Sequence, residues 1–253
     1  MSAVDFEARM KSLEYFHSLR LVPGTWTILR VDGRSFSRFT ETHFEKPFDP
    51  KFYACMVDAT RTLMENFGAI YAYTESDESS LLFAPKWSLF DREVEKIVSI
   101  SAGLMSAAFT KASGLLGHFD SRIWVGPTRE DVLDYFRWRQ SDATRCALNG
   151  WCYWTLRKSG LSEREATIRL ERGTTEDKNE LLFQNGINFN EVPLWQRRGV
   201  GLAWETYQKE GVNPVTGATT STTRRRIGVR DELPMKDEYS SFLRELIAQA
   251  LTE

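Results

Sequence analysis

A two-layer α+β fold is predicted for this chain, ferredoxin-like in its βαββαβ order and carrying a helical C-terminal extension. Three observations predict it. Residues 25–125 contain four short β-branched or apolar runs bounded by turn residues. Two longer stretches between them repeat apolar residues at helical spacing. From residue 128 onward helical periodicity dominates. With 253 residues, 42% hydrophobic and 27% charged, the composition suits a soluble globular protein with a full core.

Residues 5–20 are expected to form a short helix. The run TWTILRVD at 25–32 is β-branched and apolar and stops at Gly33, as a strand does. Over 50–67, Phe52, Met56, Ala59, Leu63 and Phe67 share a helical face, and Gly68 supplies the C-terminal stop. Two strands, 69–74 and 78–84, flank Glu75-Ser76-Asp77 and form a hairpin. A second helix over 91–113 places Val94, Ile97, Val98, Ser101, Leu104, Met105 and Ala108 on one side and is closed by Gly117. Residues 119–125 give the fourth strand. The expected sheet order is 4-1-3-2, with both helices on one face and the other face left for a ligand or further chain. Beyond it lie a long helix from 128 to about 158 and shorter helices at 162–171 and 175–184. Two strand-like pieces, 199–208 and 222–229, flank a turn at Asn213-Pro214 and Gly217, and 237–251 forms a terminal helix. The chain thus divides into a catalytic unit, 1–135, and an extension of helices and a β-hairpin, 136–253, packed on it.

The formal net charge is -2, from 33 Lys+Arg and 35 Asp+Glu. This excludes only a protein that binds nucleic acid through uniform positive charge. Residues 1–138 carry 16 basic and 19 acidic residues, 139–230 carry 15 and 10, and 231–253 carry 2 and 6. The basic middle includes Arg197-Arg198 and Arg224-Arg225-Arg226. Such clusters suit the phosphates of a folded RNA, and also a strand edge guarded by charge. Cys55, Cys146 and Cys152 show no CxxC or zinc-ligand spacing, so free thiols in a reducing compartment are expected. Residues 1–20 lack the apolar centre of a signal peptide. No run approaches the roughly 20 apolar residues of a membrane span. A cytoplasmic protein is expected. His17, His43 and His118 have no metal-ligand spacing and are assigned to the surface or to satisfied positions. Trp124, Trp138, Trp151 and Trp154 are assigned to core or helix packing. Arg139 is spaced to pair with Asp142.

The topology turns spacing into chemistry. Strand 1 ends at Asp32, and strand 3 begins just after Asp77. As antiparallel neighbours, these strands bring both aspartates to one sheet edge. Glu78 is adjacent, and alternation is expected to turn it to the other side. Two carboxylates at one edge repel unless a cation lies between them, and hard oxygen ligands favour magnesium. Gly33 permits the backbone to turn there, and its carbonyl adds an oxygen donor. Such a set suits two-metal phosphoryl transfer. Asp-Gly and Ser-Asp are also common turn formers.

Several motifs in order resemble the tRNA-His guanylyltransferase family, the 3′–5′ nucleotide polymerase group. They are Arg30-Val31-Asp32-Gly33-Arg34-Ser35-Phe36, Lys46-Pro47, Ser76-Asp77-Glu78, Phe119-Asp120-Ser121-Arg122, Trp138-Arg139-Gln140-Ser141-Asp142, Lys178 to Phe183, and Arg197-Arg198-Gly199. The resemblance covers about residues 25–200 and implies a polymerase palm. It implies that Asp32, the Gly33 carbonyl and Asp77 hold two magnesium ions, with Asp32, Asp77 and Glu78 as the catalytic group. Arg30, Arg34, Ser35, Phe36, Ser37, Lys46, Ser76 and Lys96 are implied on the nucleotide and phosphate side. Glu93 stands near a position where many members carry a basic residue. Arg139, Asn149, Lys178, Asn179, Asn188, Arg197 and Arg198 are implied on the RNA side, joined by the Arg224-Arg225-Arg226 cluster.

The implied reaction adds nucleotides to the 5′ end of tRNA, with ATP or GTP as activating and substrate nucleotides and a homo-oligomer, dimer or tetramer, as the working form. One departure is informative. Members that add the extra guanosine of tRNA-His carry a His-Ile-Asn-Asn-type block after the tryptophan motif, whereas this chain reads Thr144-Arg145-Cys146-Ala147-Leu148-Asn149-Gly150. Ser37 also replaces a histidine common in eukaryotic members. Both favour the guanylyltransferase-like branch and templated 5′-end repair over addition of a single G. Two other readings compete. A nucleotidyl cyclase on the same palm lacks its Gly-Gly-Asp/Glu-Glu-Phe hairpin here. A non-catalytic RNA-binding module would stack bases on strand aromatics such as Trp26 and Phe83.

Overall fold

The computed structural model describes residues 3–212 and 219–252. Six antiparallel strands form one sheet in the order β4-β1-β3-β2-β5-β6. They are β1 (Trp26–Gly33), β2 (Tyr71–Glu75), β3 (Glu78–Phe83), β4 (Phe119–Gly126), β5 (Val200–Val212) and β6 (Thr219–Arg230). The first four have the ferredoxin-like order. The turn expected at Asn213, Pro214 and Gly217 lies outside the described residues.

On one face lie α3 (Pro50–Phe67) and α4 (Val94–Ser113). Asp49 caps α3 by accepting from the Lys51 amide at 2.7 Å, Pro50 occupies its first turn, and Gly68 ends it in the left-handed region. Leu29, Val31, Leu81 and Phe83 from the strands meet Met56, Leu63, Ile97, Met105 and Phe109 there in one buried core. The opposite face is covered by α5 (Arg129–Lys158) and α9 (Lys236–Thr252). There Trp26, Ile28, Tyr71, Tyr73 and Leu82 pack against Val132, Phe136, Tyr239 and Leu243. Trp26 and Phe83 are therefore core residues of opposite faces, and neither can serve as an open stacking surface for RNA. Beyond α5 come α6 (Glu163–Glu171), α7 (Thr175–Gln184) and α8 (Leu194–Arg198), and a smaller cluster of Leu148, Cys152, Leu182 and Phe189 ties α5 to α7. A reciprocal capping box between Thr128 and Asp131 starts α5.

Four local expectations are corrected. The single helix over 5–20 is instead α1 (Ala3–Ser12) followed by a 3-10 turn at Tyr15–Ser18. Residues 4–20 are exposed, so no packed face sustains a longer helix. The second helix starts at Val94 rather than 91, because Phe90, Asp91 and Arg92 take positive φ. The buried Arg92 guanidinium fixes that reversal by donating to the carbonyls of Leu21, Val22, Pro85 and Trp87. A helix over Phe36–His43, α2, was not expected at all. The 199–208 and 222–229 pieces pair antiparallel as expected, but β5 also pairs with β2, so the two strands continue the palm sheet rather than packing on it as a separate layer. Gly199 makes this join possible, since a Cβ there would meet the Tyr73 ring within about 2.7 Å. The three cysteines are free. No helix among the described residues is long and apolar enough to cross a membrane.

Candidate active site

Strand register builds the site. Asp32 lies opposite Glu78 on β3 and opposite Asp120 on β4. The Gly33 amide donates to the Asp77 carbonyl at 3.1 Å, locking the end of β1 to the β2–β3 turn. A side chain at Gly33 would put its Cβ 2.5 Å from the Phe36 ring and 2.9 Å from the Asp77 Cβ, so glycine is required for that approach. Ser76 turns the hairpin with φ of 47° and donates to Asp77 Oδ1 at 3.0 Å. Burial and then the neighbouring Asp32 charge push the Asp77 carboxyl up to about 6. A divalent cation between the two aspartates would relieve that penalty. Two carboxylates and a carbonyl are hard oxygen donors, so the residues present fit magnesium.

Glu78 is not turned away from Asp32. The two are direct cross-strand partners, and such partners share a sheet face. Both Glu78 oxygens accept from Arg139 at 2.7 Å. Arg139 is buried on α5 and also meets Glu75 at 3.0 Å and Asp142 at 3.3 Å. Burial alone would favour its neutral form, yet Glu78, Glu75 and Asp142 hold it firmly charged. Arg139 therefore braces the acidic edge from beneath and presents nothing to RNA. Three carboxylates share this one guanidinium, and burial pushes Glu75 up to about 8 against its pull. Arg122 approaches Asp32 at 3.5 Å from β4. The sequence assigns a site role neither to Glu75, read there as a turn residue, nor to Arg122, read there as a motif residue, because only the register brings them to Glu78 and Asp32.

A cavity of about 500 Å³ opens at this edge, between α2, α3 and α5. Phe36, Ser37, Lys46, Ser76 and Asp77 line it, with Thr40, Tyr153 and Trp154. The Lys46 ammonium donates to the Thr40 hydroxyl and lies 5.8 Å from the Trp154 ring centre. Burial draws Lys46 below the usual lysine range, while Glu41 and Asp77 pull it back. Ser35, with φ of 60°, precedes α2, whose first-turn residues Phe36 and Ser37 line the cavity. Arg34 is exposed just beyond β1, and Arg30 lies 3.8 Å from Glu78.

Lys96 does not join this group. It sits at the start of α4, paired with Glu93 at 3.1 Å, near the Arg20 segment that precedes β1 and thus at the far end of the sheet. His17 meets Glu93 there at 3.0 Å. His17, Glu93 and Glu95 are the only three potential metal-ligating residues, among the described ones, whose ligand atoms lie within 4.8 Å of one another. Lys96 and Arg20 already compensate Glu93. The Asp32–Asp77 centre is thus a two-carboxylate arrangement, since Arg139 occupies Glu78.

The RNA-side residues scatter. Asn149 and Lys178 line a second cavity, of about 680 Å³, across α5. The Asn179 amide donates to the Thr175 carbonyl, and Asn188 caps a 3-10 turn at Phe189–Glu191. Arg197 donates to the Asn190 and Val192 carbonyls, and Arg198 to that of Leu233, so both stitch loops together. Arg224, Arg225 and Arg226 are exposed on β6; Arg226 pairs with Glu205 at 3.2 Å and Arg225 lies over the Trp204 ring.

A family model described as tRNAHis guanylyltransferase matches residues 7–127, and one described as the Thg1 C terminal domain matches residues 130–239. The chain belongs to the tRNA(His) guanylyltransferase family. A tRNA(His) guanylyltransferase of Debaryomyces hansenii is 39% identical over 207 residues, 76% of this chain and 78% of that protein. A probable tRNA(His) guanylyltransferase of Drosophila melanogaster is 34% identical over 205 residues, 76% of this chain and 71% of that protein. Among solved structures, a bacterial Thg1-like protein in complex with GTP is 28% identical, with a TM-score of 0.74 over 97% of this chain and 98% of that one. As a member of the tRNA(His) guanylyltransferase family, the protein is a nucleotidyltransferase.

Proposed function

We propose that this enzyme adds nucleotides to the 5′ end of tRNA in the 3′–5′ direction, as templated repair of the acceptor stem. The carrying observation is the meeting of Asp32 and Asp77 at one sheet edge, with Asp77 lining a cavity that also holds Ser76, Ser37 and Lys46. Asp32, Asp77 and the Gly33 carbonyl would hold two magnesium ions. When bound, these supply charge neutralisation on the triphosphate and a lower pKa for the attacking hydroxyl. The first turn of α2 offers backbone amides to the phosphates, and Lys46 adds a point charge. Trp154 and Tyr153 offer aromatic surface to the base. The 3′-hydroxyl of an incoming nucleoside triphosphate attacks the activated 5′-phosphate of the RNA. The new phosphodiester forms as AMP or pyrophosphate leaves. The GTP and ATP carried by bacterial Thg1-like relatives support a nucleotide in this cavity.

Addition of a single guanosine uses the same centre, and the names of the sequence relatives favour it. The absence of a histidine in residues 144–150 favours the templated reading. Incubating a 5′-truncated tRNA, 5′-mono- or triphosphorylated, with each of the four nucleotides decides between them. Templated repair predicts that the added nucleotide follows the base opposite; G added regardless of that base contradicts it. The proposal includes a cytoplasmic setting and a homo-oligomer. An exposed apolar run, Phe6, Met10, Leu13, Tyr15, Phe16 and Leu19, supports the latter.

A further inference from the structure

Trp138 does not pack in a core. Alone among the eight tryptophans it is exposed, at 53%. Its ring is nevertheless fixed in place. Tyr135 meets it edge-on at 5.7 Å, the Arg139 guanidinium lies 4.7 Å from its centre, and Arg30 lies 5.9 Å away. Tyr135 and Arg139 are buried, so the ring is preorganised at little entropic cost. Arg139 is also the brace of Glu78, which ties this surface to the Asp32 edge.

Trp138 forms part of the wall of the 680 Å³ cavity, together with Arg137, Arg145, Lys178 and Lys236; among the described residues Asp134 is the only acid lining it. Arg137 pairs with Asp134 at 3.5 Å and Arg145 with Asp142. The cavity is thus a basic pocket with an aromatic platform at its wall, the combination that holds single-stranded nucleic acid by stacking and charge. It lies across α5 from the nucleotide cavity: Ala143, Cys146 and Ala147 face one, Thr144, Arg145 and Leu148 the other. On the activity proposed above, on which this inference rests, the 5′ end occupies the Asp32–Asp77 edge. The opposite strand must then leave within a duplex width, and the far side of α5 offers it a complementary surface.

We infer that Trp138 and this basic cavity hold the unpaired 3′ strand of the RNA, one base stacked on the indole and its phosphates among Arg137, Arg145, Lys178 and Lys236. The test compares two acceptor-stem RNAs, identical except for a single-stranded 3′ tail, binding to the full-length protein and to its Trp138→Ala and Trp138→Phe variants. The tail is expected to tighten wild-type binding roughly five- to a hundredfold. Trp138→Ala loses that gain, and Trp138→Phe keeps most of it. Tail-independent binding by the wild type, or a full tail effect in Trp138→Ala, overturns the inference. So does an equal loss of ATP affinity in Trp138→Ala, which would make the cavity a nucleotide site. Binding is read without turnover. Tail recognition through Trp138 in a protein that adds no nucleotide would sink the proposed activity and leave this subsite standing.

Discussion

Asp77 is a carboxylate drawn into a turn beside Asp32, where burial and like charge raise its pKa from 3.8 to about 6. Above that pH it is ionised and able to hold a cation; below it, it keeps its proton. Nucleotide addition at subsaturating magnesium should therefore fall about tenfold per unit as pH drops below about 6. A pH–rate profile checks this; a falling limb centred near 4 would count against it. Between 3.8 and about 6 the folded chain also binds more protons here than the unfolded one, so this carboxyl's penalty on stability grows as pH rises through that window. Arg139 is a second residue-scale lever. Arg139→Met leaves Glu78 and Glu75 buried without their partner and should cost about 3–5 kcal/mol at pH 8. The cost should shrink at pH 5, where Glu75, raised to about 8, holds its proton in either protein. Urea unfolding at the two pH values reads the difference. Asp32, Gly33 and Asp77 could be located from strand order alone. Arg139 and Trp138 could not, because the rotation of α5 over the sheet decides which is buried and which exposed. The two are neighbours in one motif with opposite fates.

At the scale of elements, α2 is what the sequence hid and the site needs. Its eight residues follow β1 almost without a break and offer too short a period to recognise. It is held by Phe36, whose ring meets Phe39 and Phe119 at 4.8 Å and Phe109 at 5.3 Å. Phe36→Leu should cost about 1 kcal/mol and loosen the helix start. The KM for the nucleoside triphosphate should rise severalfold with RNA affinity unchanged; an unchanged KM would remove α2 from the phosphate site. The palm strands and α3 were legible because period, caps and turn residues all agreed. The join of β5 to β2 was not, because edge pairing depends on the Gly199–Tyr73 approach and not on local pattern.

Across the whole molecule, the net charge of -2 conceals an uneven distribution of charge. Acidic residues gather at the palm edge, while the added strands carry exposed arginines outward on the same sheet. If β6 meets RNA phosphates, Arg224→Ala should weaken binding evenly across sequences and reduce the salt slope by about 1. Titrations at several salt concentrations check it. The central claim is that Asp32 and Asp77 form the transfer centre, and single-turnover 5′-nucleotide addition by Asp77→Asn, with RNA affinity measured on the same sample, tests it most directly. The claim predicts addition reduced about a thousandfold or more, with RNA affinity within about twofold of wild type. Near-normal addition by a folded, RNA-binding Asp77→Asn protein would contradict it.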